Sequence, residues 1–192
     1  YMSANESDVG AYAFDRERLL QGQPATYQKF ERTGNFMLPS DLDGSISPPS
    51  GAPNYFYTMK TGNILEIWEF HVDFTTPSNS TFTLAQTLTA SPFNYGVCGF
   101  SFDCIPQPGT SQKLDVISEW PMWRLQYRNF GTHETLVGNF TVDVADFSNH
   151  AGIRWFELRK TGGGSWSIYQ EGTYSPDAHH RWMGSVAMDG NG

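Results

Sequence analysis

The chain has 192 residues, a net charge of −8 and an aromatic content of 15%. Its acidic balance, with no basic cluster, excludes a nucleic-acid footprint, which needs cations to displace the counterions around phosphates. No apolar run approaches the roughly 20 residues of a membrane-spanning helix, and plentiful aromatics, Gly and Pro beside modest Lys and Glu point to an all-β chain with many turns.

In chain order, residues 9–32 predict the outer half of a four-stranded unit, VGAYAFDRE and ATYQKF, with DRERLLQ between them able to make one helical turn. Residues 35–89 predict a complete unit with strands in NFMLPSDLDG, NYFYT, LEIWEFHVD and STFTLAQTL. Residues 90–121 form a connection holding Cys98 and Cys104, which predict a small-loop disulfide. Residues 122–174 predict a second complete unit, MWRLQYRNF, HETLVGNFTVDV, GIRWFELRK and SWSIYQEGTY, divided at Gly131-Thr132, 145–151 and the glycine run 162–164. Residues 182–192 start a further unit, an innermost strand over 183–188 ending in a tight Asp189-Gly190 turn equivalent to Asp43-Gly44.

VGAYAFDRE, LEIWEFHVD and IRWFELRKT overlay without gaps, the mark of an internal repeat. In LEIWEFHVD one face carries Glu66, Trp68, Phe70 and Val72, and the other Leu65, Ile67, Glu69 and His71. Apolar groups on both faces mean packing on both sides, as when propeller blades stack. The expectation is therefore an antiparallel, partial β-propeller within a longer chain, with a β-sandwich or jelly roll as the alternative fold. Its unpaired edges would need the rest of the chain, or another copy, to cover them.

The runs HETLVGNFTVDV, GIRWFELRK, SIYQEGTYSPD and HRWMGSVAMDGNG, with IPQPGTSQKLD and MWRLQYRNFGTHE, resemble a family of large secreted bacterial proteins with a sialidase-like β-propeller appearance. That resemblance implies the architecture and export, and assigns no catalytic residue.

A sialidase-type glycosidase needs an arginine cluster, a Tyr–Glu nucleophile pair and an acidic proton donor. Arg124, Arg128, Arg154, Arg159 and Arg181 with Tyr127, Glu134, Glu157 and Asp177 supply the types, but the S-x-D-x-G-x-x-W repeat is absent and alternation sends Arg154 and Glu157 to opposite faces. The expected function is accordingly a non-catalytic extracellular or cell-surface module that binds glycan or protein or builds an assembly, the alternative being a fragment of a secreted glycoside hydrolase. Candidate binding residues are Trp123, Arg124, Arg128, Trp182 and Asp189 at the inner ends of the innermost strands, with Trp120 and Trp166 as further rings for a sugar. Asp41-Leu42-Asp43-Gly44 resembles the opening of a calcium loop but lacks its later ligands, so structural calcium is the one candidate cofactor. His179-His180 is expected in a loop, no metal site is assigned, and Asn5, Asn79 and Asn139 begin glycosylation acceptor patterns.

Overall fold

Strand alternation decides where every apolar group goes, and it does so on both faces of one large sheet. A computed structural model describes residues 4–5, 8–32, 34 and 36–192. The strands are β1 (Ala4–Asn5), β2 (Asp8–Phe14), β3 (Tyr27–Arg32), β4 (Leu38–Asp43), β5 (Asn54–Lys60), β6 (Ile64–His71) and β7 (Thr81–Thr89), then β8 (Pro121–Asn129), β9 (Glu134–Asp143), β10 (Ala151–Lys160) and β11 (Ser167–Tyr174). One short helix, α1 (Arg16–Leu20), joins β2 to β3, and the Asp15 side chain caps it by accepting from the Arg18 N–H at 3.2 Å.

Both expected four-stranded meanders form, β4 to β7 and β8 to β11, each antiparallel throughout. They join edge to edge, which differs from the face-to-face stacking that blades would show. Ser40 to Asp43 of β4 pair in parallel with Leu125 to Arg128 of β8, giving one eight-stranded sheet in the order β11-β10-β9-β8-β4-β5-β6-β7. The sheet curls into a half-barrel. Tyr55, Tyr57 and Met59 of β5, Leu65 and Ile67 of β6, Leu125 and Tyr127 of β8, Leu136 and Phe140 of β9 and Phe156 and Leu158 of β10 converge inside it. The Tyr57 and Phe156 rings meet edge to face across the interior at 5.1 Å, although six sheet positions separate the outer edges. Gly138 makes this possible, because any Cβ there would lie 2.6 Å from the Phe156 ring.

The outer face is covered in two ways. Over the first meander lies the β2–β3 hairpin, whose Ala11, Ala13 and Phe30 pack on Phe56, Trp68, Phe70 and Phe82. The guanidinium of Arg32 sits over the Trp68 ring at 4.1 Å and pairs with Glu66 at 3.4 Å. Both faces of β6 are therefore packed, as its sequence requires. Over the second meander run residues 182–192, which contain no strand, contrary to the expected innermost strand at 183–188. The physical reason is that β8 already has β4 and β9 as its two neighbours, so 183–188 lie across the flat of the sheet and not along an open edge.

The two outer strands of the curled sheet are tied together by side chains. The Gln86 amide on β7 accepts from the Trp166 N–H at 2.8 Å and donates to the Trp166 carbonyl, serving as a substitute peptide between β7 and β11. A second tie joins Ser91, just after β7, to Glu171 of β11 through the Ser91 N–H and hydroxyl, both at 2.8 Å, with Arg154 also bound to Glu171. Burial alone would raise the Glu171 carboxyl, but these donors outweigh it and hold it below its ordinary value. The Cys98–Cys104 disulfide forms, and with Val97, Ile105 and Val116 builds a small satellite core against Ala151.

Gln86→Ala should lower stability by about 1–3 kcal/mol, because it strands the Trp166 peptide groups; the denaturant midpoint reads this, and an unchanged midpoint would show the tie to be idle. Since the folded Glu171 carboxyl is depressed, its contribution is present above the unfolded value of about 4.3 and is lost as pH falls through the lower folded value. Stability of the natural chain should thus decline on acidification below pH about 4.3 more steeply than that of Glu171→Gln, measured by urea melts across the acid range.

Candidate functional site

Cross-strand register lays the outer face of the second meander out in rows. Gln126, Val137, Glu157 and Gln170 form one row across β8, β9, β10 and β11, and Asn139, Trp155 and Gly172 form the next. A third row holds Arg128, Thr135, Arg159 and Ser167. Residues 182–192 cross these rows as a strap. The Met183 N–H donates to Thr141 Oγ1 at 3.3 Å, and the Gln126 side chain accepts from the Met188 N–H and donates to the Met188 carbonyl at 3.1 Å. Asp189 Oδ1 accepts from the Asn191 and Gly192 N–H groups at 2.8 and 3.2 Å and closes the strap into a turn.

Between the strap and the sheet lies a cavity of about 360 Å³, lined by Val137, Trp155, Glu157, Gln170, Met188 and Asp189 among others. That volume lies near the lower end of the roughly 300–1,000 Å³ of small-molecule pockets. Glu157 is only 1% exposed, and both its oxygens are engaged: Oε1 with Arg159 Nε at 2.5 Å and Oε2 with Gln170 Nε2 at 2.6 Å. Arg159 is itself stacked on the Tyr169 ring at 3.4 Å. These contacts fix the Gln170 amide and the carboxylate against each other, as a buried charge requires. Trp155 is positioned by a missing side chain: a Cβ on Gly172 would lie 3.1 Å from the indole, so the ring packs directly against the β11 backbone.

Of the residues named from sequence, the structure brings Asp189 and Arg128 to this region. Arg128 Nη2 points at the Met188 carbonyl at 3.5 Å, and its guanidinium lies beside both Gly44 and Gly190, so the two Asp-Gly stretches meet at one arginine. Arg124 is occupied elsewhere, pairing with Asp43 and, at 3.4 Å, with Asp41. Because Asp43 also accepts from Gln126, the Asp41 and Asp43 carboxylates belong to a polar network on β4 and β8. Trp182 is half-buried against the disulfide-bonded core. Trp166 lies in the barrel interior and Trp120 stacks on Phe36, which leaves Trp123, 60% exposed, as the open ring among the four named.

Two cavity-lining residues that the sequence did not single out are Trp155 and Gln170. The alternation of GIRWFELRK already puts Trp155 and Glu157 on one face, but only the register with β11 adds Gln170 and Gly172 to it.

A larger cleft of about 500 Å³ opens at the end of the half-barrel where β5, β9 and β10 meet, with Tyr55, Glu69, His71, His133, Glu134 and Lys160 in its wall. Here the Tyr–Glu pair sought for a sialidase does form: the Tyr127 hydroxyl donates to Glu134 Oε2 at 2.7 Å. Both residues are buried, and Lys160 bridges Glu134, at 3.1 Å, to the Tyr55 hydroxyl. Burial, then Glu134, pushes the Tyr127 hydroxyl far up; burial also raises Tyr55. Burial alone would lower Lys160, but its bonds to Tyr55 and Glu134 hold it above its ordinary value. Tyr127, Tyr55 and Lys160 thus hold their protons at neutral pH, and the network forms a plug without an activated tyrosine or lysine nucleophile. Arg154 and Glu157 do face opposite sides of β10, Arg154 toward the β7–β11 tie and Glu157 toward the strap.

Asn139 is fully buried in β9 beneath Gly184, where a glycan has no room, so its acceptor pattern is not a modification site. Asn79 is exposed on a short turn, and the pattern beginning at Asn5 runs into positions outside the described residues. His179 and His180 lie in the connection after β11, where His180 Nδ1 faces the Ala151 N–H at 3.3 Å. Among the described residues no group of three or more His, Cys, Asp or Glu is placed to hold a metal ion. No helix among them is long and apolar enough to cross a membrane.

No family model, curated protein or solved structure matches this chain.

Gly172→Ala should push the indole off the β11 backbone. The Trp155 side-chain N–H resonance is expected to move, with a stability loss of about 1–3 kcal/mol typical of overpacking. An unshifted resonance would mean that the ring is not seated on this glycine.

Proposed function

We propose that this chain is a non-catalytic extracellular or cell-surface module that binds glycan in the cavity beneath the strap. The observation that carries this reading is the combination of an indole packed against Gly172 with a fixed amide and two carboxylates, Gln170, Glu157 and Asp189, around a sugar-sized space. Sugars present apolar ring faces to aromatic side chains and hydroxyl edges to planar polar groups. A rigid first shell on regular strands keeps the ordering cost of binding small.

The disulfide supports an oxidising compartment and thus export. A propeller membership is part of the proposal, supported by the two complete four-stranded antiparallel meanders. In that reading the chain is one portion of a sialidase-like propeller protein of the secreted bacterial kind, and the remainder of the protein, or a second copy, covers its outer strands.

A second reading, a fragment of a secreted glycoside hydrolase, has the Tyr127–Glu134 hydrogen bond in its favour. The burial of both groups behind Lys160 weighs against it, since a nucleophile must reach its substrate.

Titration calorimetry against a panel of soluble oligosaccharides should find a binder whose affinity falls at least tenfold, about 1.4 kcal/mol, in Trp155→Ala. Chromogenic glycosides should remain uncleaved. A bound glycan indifferent to Trp155→Ala would move the site elsewhere, and turnover abolished by Tyr127→Phe would establish the hydrolase instead.

A further inference from the structure

We infer that the cavity beneath the strap selects neutral, hydroxyl-rich sugar residues and discriminates against acidic ones; this rests on the glycan-binding reading above. The charged side chains lining the cavity are Glu157 and Asp189, both acidic. No lysine, arginine or histidine lines it. A sialic or uronic acid carboxylate placed there would meet two like charges in a partly desolvated space, where such repulsion is far stronger than in water.

The nearby cations lie outside the cavity lining. Arg159 gives its Nε to Glu157 and lays its plane on Tyr169 at 3.4 Å, and Arg128 is turned to the Met188 carbonyl and the Gly44 backbone. Neither lines the cavity, where a bidentate clamp on an acidic sugar would have to sit.

The groups that remain are acceptors. Gln170 uses its N–H₂ on Glu157, and its amide oxygen makes no hydrogen bond among the described residues. Asp189 uses Oδ1 within its own turn, and its Oδ2 likewise has no partner among the described residues. Two acceptors beside a buried carboxylate suit hydroxyl donors, and vicinal hydroxyls of a neutral hexose supply them in pairs. The flat indole of Trp155 takes the apolar face of the same ring.

The test uses the full chain and matched pairs of soluble glycans that differ only in an acidic group. Methyl glucoside is paired with methyl glucuronide, and methyl galactoside with methyl galacturonide, followed by titration calorimetry and by the Trp155 indole resonance. The neutral member should bind at least tenfold tighter at low salt, and the gap should narrow as ionic strength rises. Asp189→Asn should narrow the gap too, chiefly by improving the acidic member, whereas Trp155→Ala should weaken both members alike. Equal or tighter binding of the acidic member would overturn the inference while leaving the glycan-binding reading intact. A gap unchanged by both salt and Asp189→Asn would overturn the electrostatic assignment. If no member of either pair, nor any glycan of the wider panel, binds the folded chain, both the inference and the reading beneath it fall.

Discussion

Four parallel residue pairs, Ser40 with Leu125 through Asp43 with Arg128, hold this architecture together. Without them the chain would be two separate antiparallel meanders, each with one apolar face needing a partner. With them the two sheets become one, and curvature alone lets β5 and β6 share an interior with β9 and β10. Parallel pairing slants its hydrogen bonds and is slightly weaker per residue than antiparallel pairing. Side chains reinforce the seam: Arg124 and Gln126 of β8 both bind Asp43 of β4, and Arg124 also reaches Asp41. The same register puts Arg128 against Gly44, so the joint between the halves lies directly beside the strap.

The two halves of the outer face solve the same problem by different means. Over β5, β6 and β7 the cover is a hairpin rich in rings, and burying aromatic area is the main stabilising term there. The charges at its margin are paired: Glu66 takes Lys60 at 2.6 Å, Arg32 and the Trp68 indole N–H. Burial would raise the Glu66 carboxyl, yet those donors hold it below its ordinary value. Over β8, β9 and β10 the cover is an irregular strap with few large apolar groups, fixed chiefly by hydrogen bonds. A cover of that kind cannot fill every space beneath it, and the unfilled space is the cavity with Trp155 and Glu157.

The strands of both meanders were readable because period-two alternation and turn residues are local signals. LEIWEFHVD shows this most clearly: its two apolar faces correctly demanded two packing partners, the barrel interior for Leu65 and Ile67 and the hairpin for Trp68 and Phe70. Which partners they would be was not local information. Blade stacking and edge-to-edge joining bury the same faces, and the choice is made by the β4–β8 register, a contact between residues about 85 positions apart. Residues 183–188 have the composition of a strand, but strand propensity is realised only where an unpaired edge is available. Of the site, Asp189 and the Arg128 neighbourhood were legible from the Asp-Gly turns. Trp155, Gln170 and Gly172 were not, because they become neighbours only through the β10–β11 register, which contains a shift between Glu157 and Leu158.

Two glutamines explain why a pocket survives in this place. Gln86 and Gln126 each present a side-chain amide to a backbone peptide, donating to its carbonyl and accepting from its N–H, as a neighbouring strand would. Gln86 thereby ties β7 to β11 where the sheet stops short of closing. Gln126 does the same for Met188, anchoring the strap to the flat of the sheet instead of its edge. A strand laid along an edge satisfies its whole backbone and leaves no space beside it. A strap pinned at single residues satisfies only those peptides, so the backbone between the pins keeps polar groups to offer a ligand. The regular strands below contribute the opposite property, side chains held at fixed spacing. Among the described residues the two properties meet where the strap crosses β9, β10 and β11.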